Sequence, residues 1–473
     1  MKRALAMALG AMLVAGSAVP AAAKSQIDFS GMYRTYMYGV WNPNFAVEKD
    51  DEGNLNDLYD NDFFLVDRLQ LDFGFHATDE VSVYWRLRAP ARSKWGQEDT
   101  SLMSRYYYGQ VKQDWGTISA GRLKDGFADL GLASLGYAPD GPDVNATGIL
   151  PFDIDDPLSG IHYVNRTDGG FQFAAAIMRP ETGRYIAADG TRGYHDETKD
   201  LFVIEPAYFW DGGGASFGIH YLRDHVQGAT AKPAYKEYAI NPAFFQSFGD
   251  IAVHFEAKAG FGKAANNEDW NAEEKSSGYA AYLDADYNYG PGDVALAGWY
   301  AAGPKAKKEG DNKAQGTVGM GDNFAPLIVA YGANGNFWWY NALKGNPMLP
   351  DVSPNAVALA NVNAATDQMD ADQQYTANHW AAALMGAHAF TDDLTFTYAV
   401  AYLNLLKVDP GYKKNIGYEA DLGLQIQLLD NLHLGTTIGY LIAGDALKEG
   451  GSEGNGKKPD DAYSWFTTLT FSF

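Results

Sequence analysis

The chain contains no cysteine. That excludes a disulfide framework, thiolate metal sites and a cysteine nucleophile together. Positive charge is scarce: 36 Lys and Arg stand against 59 Asp and Glu, a formal net charge of −23. A phosphate backbone would be repelled, so nucleic acid is excluded as a partner. Long apolar runs are missing too, and mean hydropathy is −0.29. A bundle of membrane helices needs several runs of about 20 apolar residues, and the only such run sits at the N-terminus. What is abundant is Tyr (30), Phe (25), Trp (11) and Gly (52), a composition of strands and turns.

Lys2 and Arg3, an apolar stretch, and then Ala21-Ala22-Ala23 follow the layout of a secretory signal. Residues 1–23 are expected to be a cleaved export segment. A retained membrane anchor is the alternative, weakened by Gly10, Gly16, Ser17 and Pro20. Residues 24–473 show no linker and no shift in composition, so they are expected to be one unit.

That unit repeats a pattern of alternating stretch, tiny turn, alternating stretch and longer polar loop. Leu69, Leu71, Phe73 and Phe75 alternate with Arg68, Gln70, Asp72 and His76; after Ala77-Thr78-Asp79-Glu80, Val81, Val83, Trp85 and Leu87 alternate with Ser82, Tyr84, Arg86 and Arg88. The same rhythm runs through 250–262, 278–289, 415–429 and 432–444. A two-residue period gives each strand one apolar and one polar face. Asp211 to Gly214, Gly249-Asp250 and Asp430-Asn431 supply the residues that tight hairpins need. The segments number about eighteen, or sixteen if a weak member such as 200–210 with Pro206 drops out; Phe324 to Tyr340 could hide a further hairpin.

Three features favour a membrane barrel over a soluble sandwich or propeller. Short turns alternate with long loops at 41–61, 123–158, 180–199, 263–277, 303–375 and 445–460. Aromatic residues gather at strand ends, as in Tyr106-Tyr107-Tyr108 and Tyr208-Phe209-Trp210, where lipid girdles would lie. The chain also stops on an alternating strand ending in Phe473. A strand in hydrocarbon must pair every backbone group, so such a sheet must close on itself. An interior this rich in Arg, Asp and Glu must be wet, because unpaired buried charge is expensive, and sixteen or eighteen strands leave room for water. The expected fold is an all-β transmembrane antiparallel barrel of 16–18 strands.

The export segment, the closing strand to Phe473, and Trp115-Gly116-Thr117-Ile118-Ser119-Ala120-Gly121-Arg122 resemble features of Gram-negative outer-membrane porins. The last stretch is similar to the Gly-Arg-ended fifth strand that precedes their pore-constricting third loop. The layout resembles in particular the homotrimeric porins of sulfate-reducing bacteria. The resemblance implies an outer-membrane location, a homotrimer, a long third loop (123–158) folded into the lumen, and passive diffusion of small hydrophilic solutes and ions. It also implies bilayer and lipopolysaccharide as surroundings and Phe473 as the signal read by the barrel-assembly machinery. An eighteen-strand count suits substrate-selective channels as well as general porins.

If the apolar faces meet lipid, the opposite parity puts Arg34, Arg68, Arg86 and Arg88 on the inner wall, with Arg105 and Arg122 nearby and Asp72 beside them. Loop 123–158 carries Asp125, Asp129, Asp140, Asp143, Asp153, Asp155 and Asp156; loop 303–375 is expected at the surface. A basic wall facing an acidic loop would filter solutes by charge. The same arginines could instead pair with lumen carboxylates and hold the loop in place. The acidic clusters at 140–145 and 153–156 could hold surface Ca²⁺, although neither has EF-hand spacing. No catalytic motif, metal-ligand set or cofactor motif occurs, so an enzyme is not expected. The functions left open are a water-filled porin, a channel selective for a sugar or anion, and a structural or adhesive surface barrel. Tyr106, Tyr107, Tyr108, Trp338, Trp339 and Tyr340 are the candidates for a sugar-guiding aromatic track.

Overall fold

A computed structural model describes residues 25–41, 62–94, 102–123, 159–166, 170–186, 192–225, 235–265, 273–302, 315–316, 327–331, 378–407, 413–447 and 461–473. The expected export segment 1–23 lies outside them, as do residues 124–158. Eighteen long strands form the wall. They are β1 (Gln26–Trp41), β2 (Asp62–His76), β3 (Val81–Lys94), β4 (Met103–Gln113), β5 (Gly116–Arg122) and β6 (Ser159–Arg166). Next come β7 (Phe171–Ile186), β8 (Arg192–Trp210), β9 (Gly213–His225), β10 (Tyr235–Phe248), β11 (Ile251–Ala265) and β12 (Glu273–Asn288). The last six are β13 (Gly292–Ala301), β14 (His379–Thr391), β15 (Leu394–Leu405), β16 (Asn415–Leu429), β17 (Leu432–Ala443) and β18 (Ala462–Ser472).

Each strand pairs antiparallel with its sequence neighbour, and β1 pairs with β18 from Met32↔Ser472 to Trp41↔Tyr463. The sheet therefore closes and no edge is left unpaired. A two-residue bridge, Gln315–Gly316, runs parallel to β12, and one helical turn, α1 (Ile328–Tyr331), lies inside the connection from β13 to β14. That turn stands where a further hairpin was one possibility.

The tight turns share one rim. Gly212, Gly249 and Gly290 take φ of 70°, 64° and 96°, which a side chain resists and glycine accepts. At the opposite rim the strands run further than the sequence suggests. The loops expected at 180–199 and 263–277 are largely strand: Glu181↔Lys199 and Thr182↔Thr198 extend the β7–β8 hairpin, and Ala264↔Glu274 extends β11–β12. Their polar composition hides the alternation, but the backbone groups still have to be paired. Pro206 does not break β8; the β8–β9 ladder resumes from Ile204↔Ile219 to Ala207↔Ser216 around it.

Large apolar side chains occupy the outer face. Tyr279, Leu283 and Tyr287 are all about half exposed on β12, with Leu296 beside them on β13. Leu283 sits midway between the two tyrosines, at the centre of an apolar belt bounded by aromatic rings. Arginine there is expected to destabilise the bilayer-inserted barrel by about 2–4 kcal/mol. Urea unfolding in lipid vesicles would measure this, and an unchanged midpoint would mean that Leu283 does not face hydrocarbon.

The inner face is not uniformly polar. On β13–β15 the alternation is large outside and small inside: Ala295, Ala297, Ala381, Ala383, Ala399 and Ala401 are at most 3% exposed, opposite Leu296, Leu384 and Val400 on the outer face.

Candidate functional site

The first three strands bring the predicted arginines together. Arg34 and Arg68 stand directly opposite each other in the β1–β2 register. Like charges so placed repel, and the surroundings compensate. The guanidinium carbons lie 5.7 and 5.9 Å from the Tyr36 ring centroid, and the Arg34 Nε donates to Thr470 Oγ1 at 3.0 Å. Both arginines are almost fully buried, at 1% and 3% exposure.

Arg86 is more accessible, with 16% of its side chain exposed. It lies opposite Asp72 in register and grips that carboxylate with two donors: Nε to Oδ1 at 2.5 Å and Nη2 to Oδ2 at 3.2 Å. Tyr106 and Gln70 also donate to Asp72, at 3.1 and 3.2 Å. Arg86 stacks over Tyr106 at 4.7 Å, and Tyr106, Tyr108 and Tyr84 form a short ladder of rings beside it. Arg88 pairs in register with Gln70 and is 7% exposed. Arg34, Arg68, Arg86 and Arg88 thus share one inner patch, in which Arg86 is braced on the Asp72 carboxylate.

Arg105 and Arg122 depart from that row. The β3–β4 ladder slips between Arg86 and Leu87, which leaves Arg105 at an irregularity, and Arg122 pairs with Tyr107, whose ring is on the outer face. The Arg122 Nε donates to the Arg105 carbonyl at 2.9 Å. A one-residue slip reverses facing, and nothing in local composition signals it. Tyr107 is likewise outside the inner aromatic ladder, and Trp338, Trp339 and Tyr340 lie outside the described residues.

All seven candidate loop aspartates, Asp125 to Asp156, also lie outside the described residues. The residue that leads into them is informative. Leu123 is 1% exposed and packs on the inner face of β6–β8 with Val164, Ala174, Ala176, Met178, Leu201 and Val203. The Leu123 side chain thus lies on the inner face at the end of β5.

Acidic groups collect on the inner face of β8, β11, β12 and β16. Glu205, Glu256 and Asp284 are buried at 1%, 1% and 0% exposure, with Asp286 next along β12. The His254 ring meets Asp284 at 2.7 Å, and Lys258 adds one positive charge to the group. In a ring of eighteen, β11 stands eight strands from β3, which carries Arg86. Arg86 and Glu256 are each the sixth residue of their strand from the tight-turn rim, and Asp284 is the fifth of its own.

One contact was not visible in the sequence. Glu419 on β16 accepts backbone N–H bonds from Val329 at 2.6 Å and Ala330 at 2.9 Å. Leu327, Val329 and Ala330 are fully buried, and α1 contacts β16, β17 and β18 on the inner side. Residues 327–331 of the 303–375 segment are therefore internal rather than at the surface.

No family model and no curated protein matches the sequence. The structure is similar to solved proteins of Pseudomonas aeruginosa. OprD matches with TM-score 0.51 at 12% identity, over 96% of this chain and 97% of that one. OpdQ matches with TM-score 0.51 at 11% identity, over 94% and 97%. OccK5 (OpdH) matches with TM-score 0.50 at 10% identity, over 94% and 98%. At these identities the likeness is one of fold: the closed eighteen-strand antiparallel barrel.

Proposed function

We propose that the protein is an outer-membrane channel selective for small hydrophilic solutes, with small anions favoured. The observation that carries this is the charged inner wall, with a basic cluster around Arg86 on β1–β3 and an acidic cluster around Glu256 and Asp284 on β11 and β12, eight or nine strands from β3 inside an apolar-sheathed ring. Polar groups kept in mutual opposition rather than in contact create a field across the lumen, and side-chain charge arranged in this way sets selectivity. Passage is diffusion down a gradient, and no catalytic step is involved.

The fold likeness to OprD and its Pseudomonas counterparts supports a solute-selective channel ahead of a general porin. The Tyr84, Tyr108 and Tyr106 ladder beside Arg86 supports the same choice, because it offers an apolar track next to the cation. The inner-face burial of Leu123, where β5 ends, supports a third loop that enters the lumen with its aspartates. Residues 1–23 would direct export, and Phe473 would serve the barrel-assembly machinery. Homotrimers resembling those of the sulfate-reducer porins, contact with lipopolysaccharide and surface Ca²⁺ on the acidic loops complete the proposal.

Purified protein reconstituted in planar bilayers is expected to give discrete conductance steps with anion preference, blocked saturably by a small dicarboxylate such as malonate. Steps without saturable block would favour a general porin. Absence of steps would favour a structural barrel and overturn the channel.

A further inference from the structure

The inner row containing Glu419 is otherwise apolar. In register it reads Ala401, Glu419, Leu441 and Ala462, with exposures of 2%, 1%, 0% and 0%. A carboxylate in such a row carries a desolvation cost unless donors meet it, and the row itself supplies none. The donors come from 89 and 90 residues away, the consecutive N–H groups of Ala330 and Val329, one to each oxygen. Charge-assisted bonds of this kind are about twice as strong as neutral ones. Around them Leu327, Val329 and Ala330 complete a dry contact. Asp421, the next inner residue of β16, also hydrogen-bonds Glu419, and without Glu419 the two backbone donors would lose their acceptor inside this buried contact. The contact is therefore polar at its centre and sealed at its rim.

We infer that Glu419 is a positioning residue that holds the 327–331 turn inside the barrel, so that this turn, fixed on β16–β18, narrows the lumen. The anchoring stands on the contacts alone, and its consequence for conductance rests on the channel proposal above. The turn occupies the inner side of β16–β18, three to five strands from the β3 that carries Arg86, and β18 is the direct neighbour of β1 in the closed ring.

The absence of cysteine makes the test direct. Ala330→Cys in the full chain gives one thiol, at a position that is 0% exposed. Its rate of reaction with a bulky water-soluble maleimide is measured in refolded protein with Glu419 intact, with Glu419→Gln and with Glu419→Ala. Losing two hydrogen bonds to a charged acceptor should raise the exposed population on the order of tenfold or more in the alanine variant. Glutamine keeps one acceptor oxygen and should fall between. Unit conductance should rise in the same order. Heat-dependent gel mobility identifies folded barrels; if the alanine variant does not fold, the glutamine variant carries the test. Equal labelling rates in folded barrels would overturn the anchor. Faster labelling without conductance steps would leave the anchor standing and remove the channel instead.

Discussion

Replacing Arg86 with glutamate is expected to abolish the anion preference and change the anion-to-cation permeability ratio by about tenfold. The substitution alters charge by two units at the most accessible of the inner-wall arginines. At ~6 Å from a permeating ion in water, two unit charges amount to roughly 1.4 kcal/mol. The new carboxylate would also stand beside Asp72, which loses its bidentate partner and keeps only Tyr106 and Gln70 as donors. Asp72→Asn should act in the opposite sense by releasing Arg86 from its counter-charge and strengthening the anion preference. Reversal potentials across a salt gradient measure both, best at low ionic strength, because screening reaches about 10 Å at 0.1 M. A ratio that moves by less than about twofold in either variant would mean that solutes pass outside the influence of this hub.

Gly31→Val is expected to collapse the yield of closed barrel. Gly31 and Phe473 exchange backbone hydrogen bonds of 2.8 and 3.0 Å, the last rung of the seam between β1 and β18. A Cβ at residue 31 would lie 2.6 Å from the Gln70 carbonyl and 2.7 Å from the Phe473 ring. The carbonyl belongs to the β1–β2 ladder and cannot retreat. The ring could leave only by giving up its neighbours Phe29 and Phe471, at centroid distances of 5.9 Å each. Gly74→Ala is the control, since its Cβ would meet nothing closer than the movable His76 ring at 3.1 Å. Refolding into detergent micelles, scored by heat-dependent mobility, should give near-normal yield for Gly74→Ala and little for Gly31→Val. Equal yields would show that the seam tolerates a side chain and that Phe473 matters only as a recognition signal.

How legible the molecule is from its sequence differs by region, for physical reasons. Strands such as β3, β12 and β16 announce themselves because polarity and facing coincide. The Arg86–Asp72 partnership follows from parity plus a short turn. On β13–β15 both faces are apolar, and side-chain size, with alanine inside and leucine or valine outside, carries the facing instead. The polar hairpin ends at 181–186 with 192–199 and at 263–265 with 273–277 look like loops because pairing there satisfies the backbone, not a hydrophobic face. Arg105 leaves the basic row at a ladder slip, which makes no mark on composition, and Arg122 leaves it through its register with Tyr107. The bond from Glu419 to Val329 and Ala330 is made to main-chain atoms 89 and 90 residues away, and main-chain donors have no sequence signature.

The seam at Gly31 and Phe473 is a nick in a ring rather than an edge of a sheet. Bridging it with a short linker and cutting one of the tight turns on the same rim would yield a circular permutant with every strand keeping both neighbours. Which strand is made first is thus independent of which strands touch, and an assembly experiment could vary synthesis order while holding the finished wall constant.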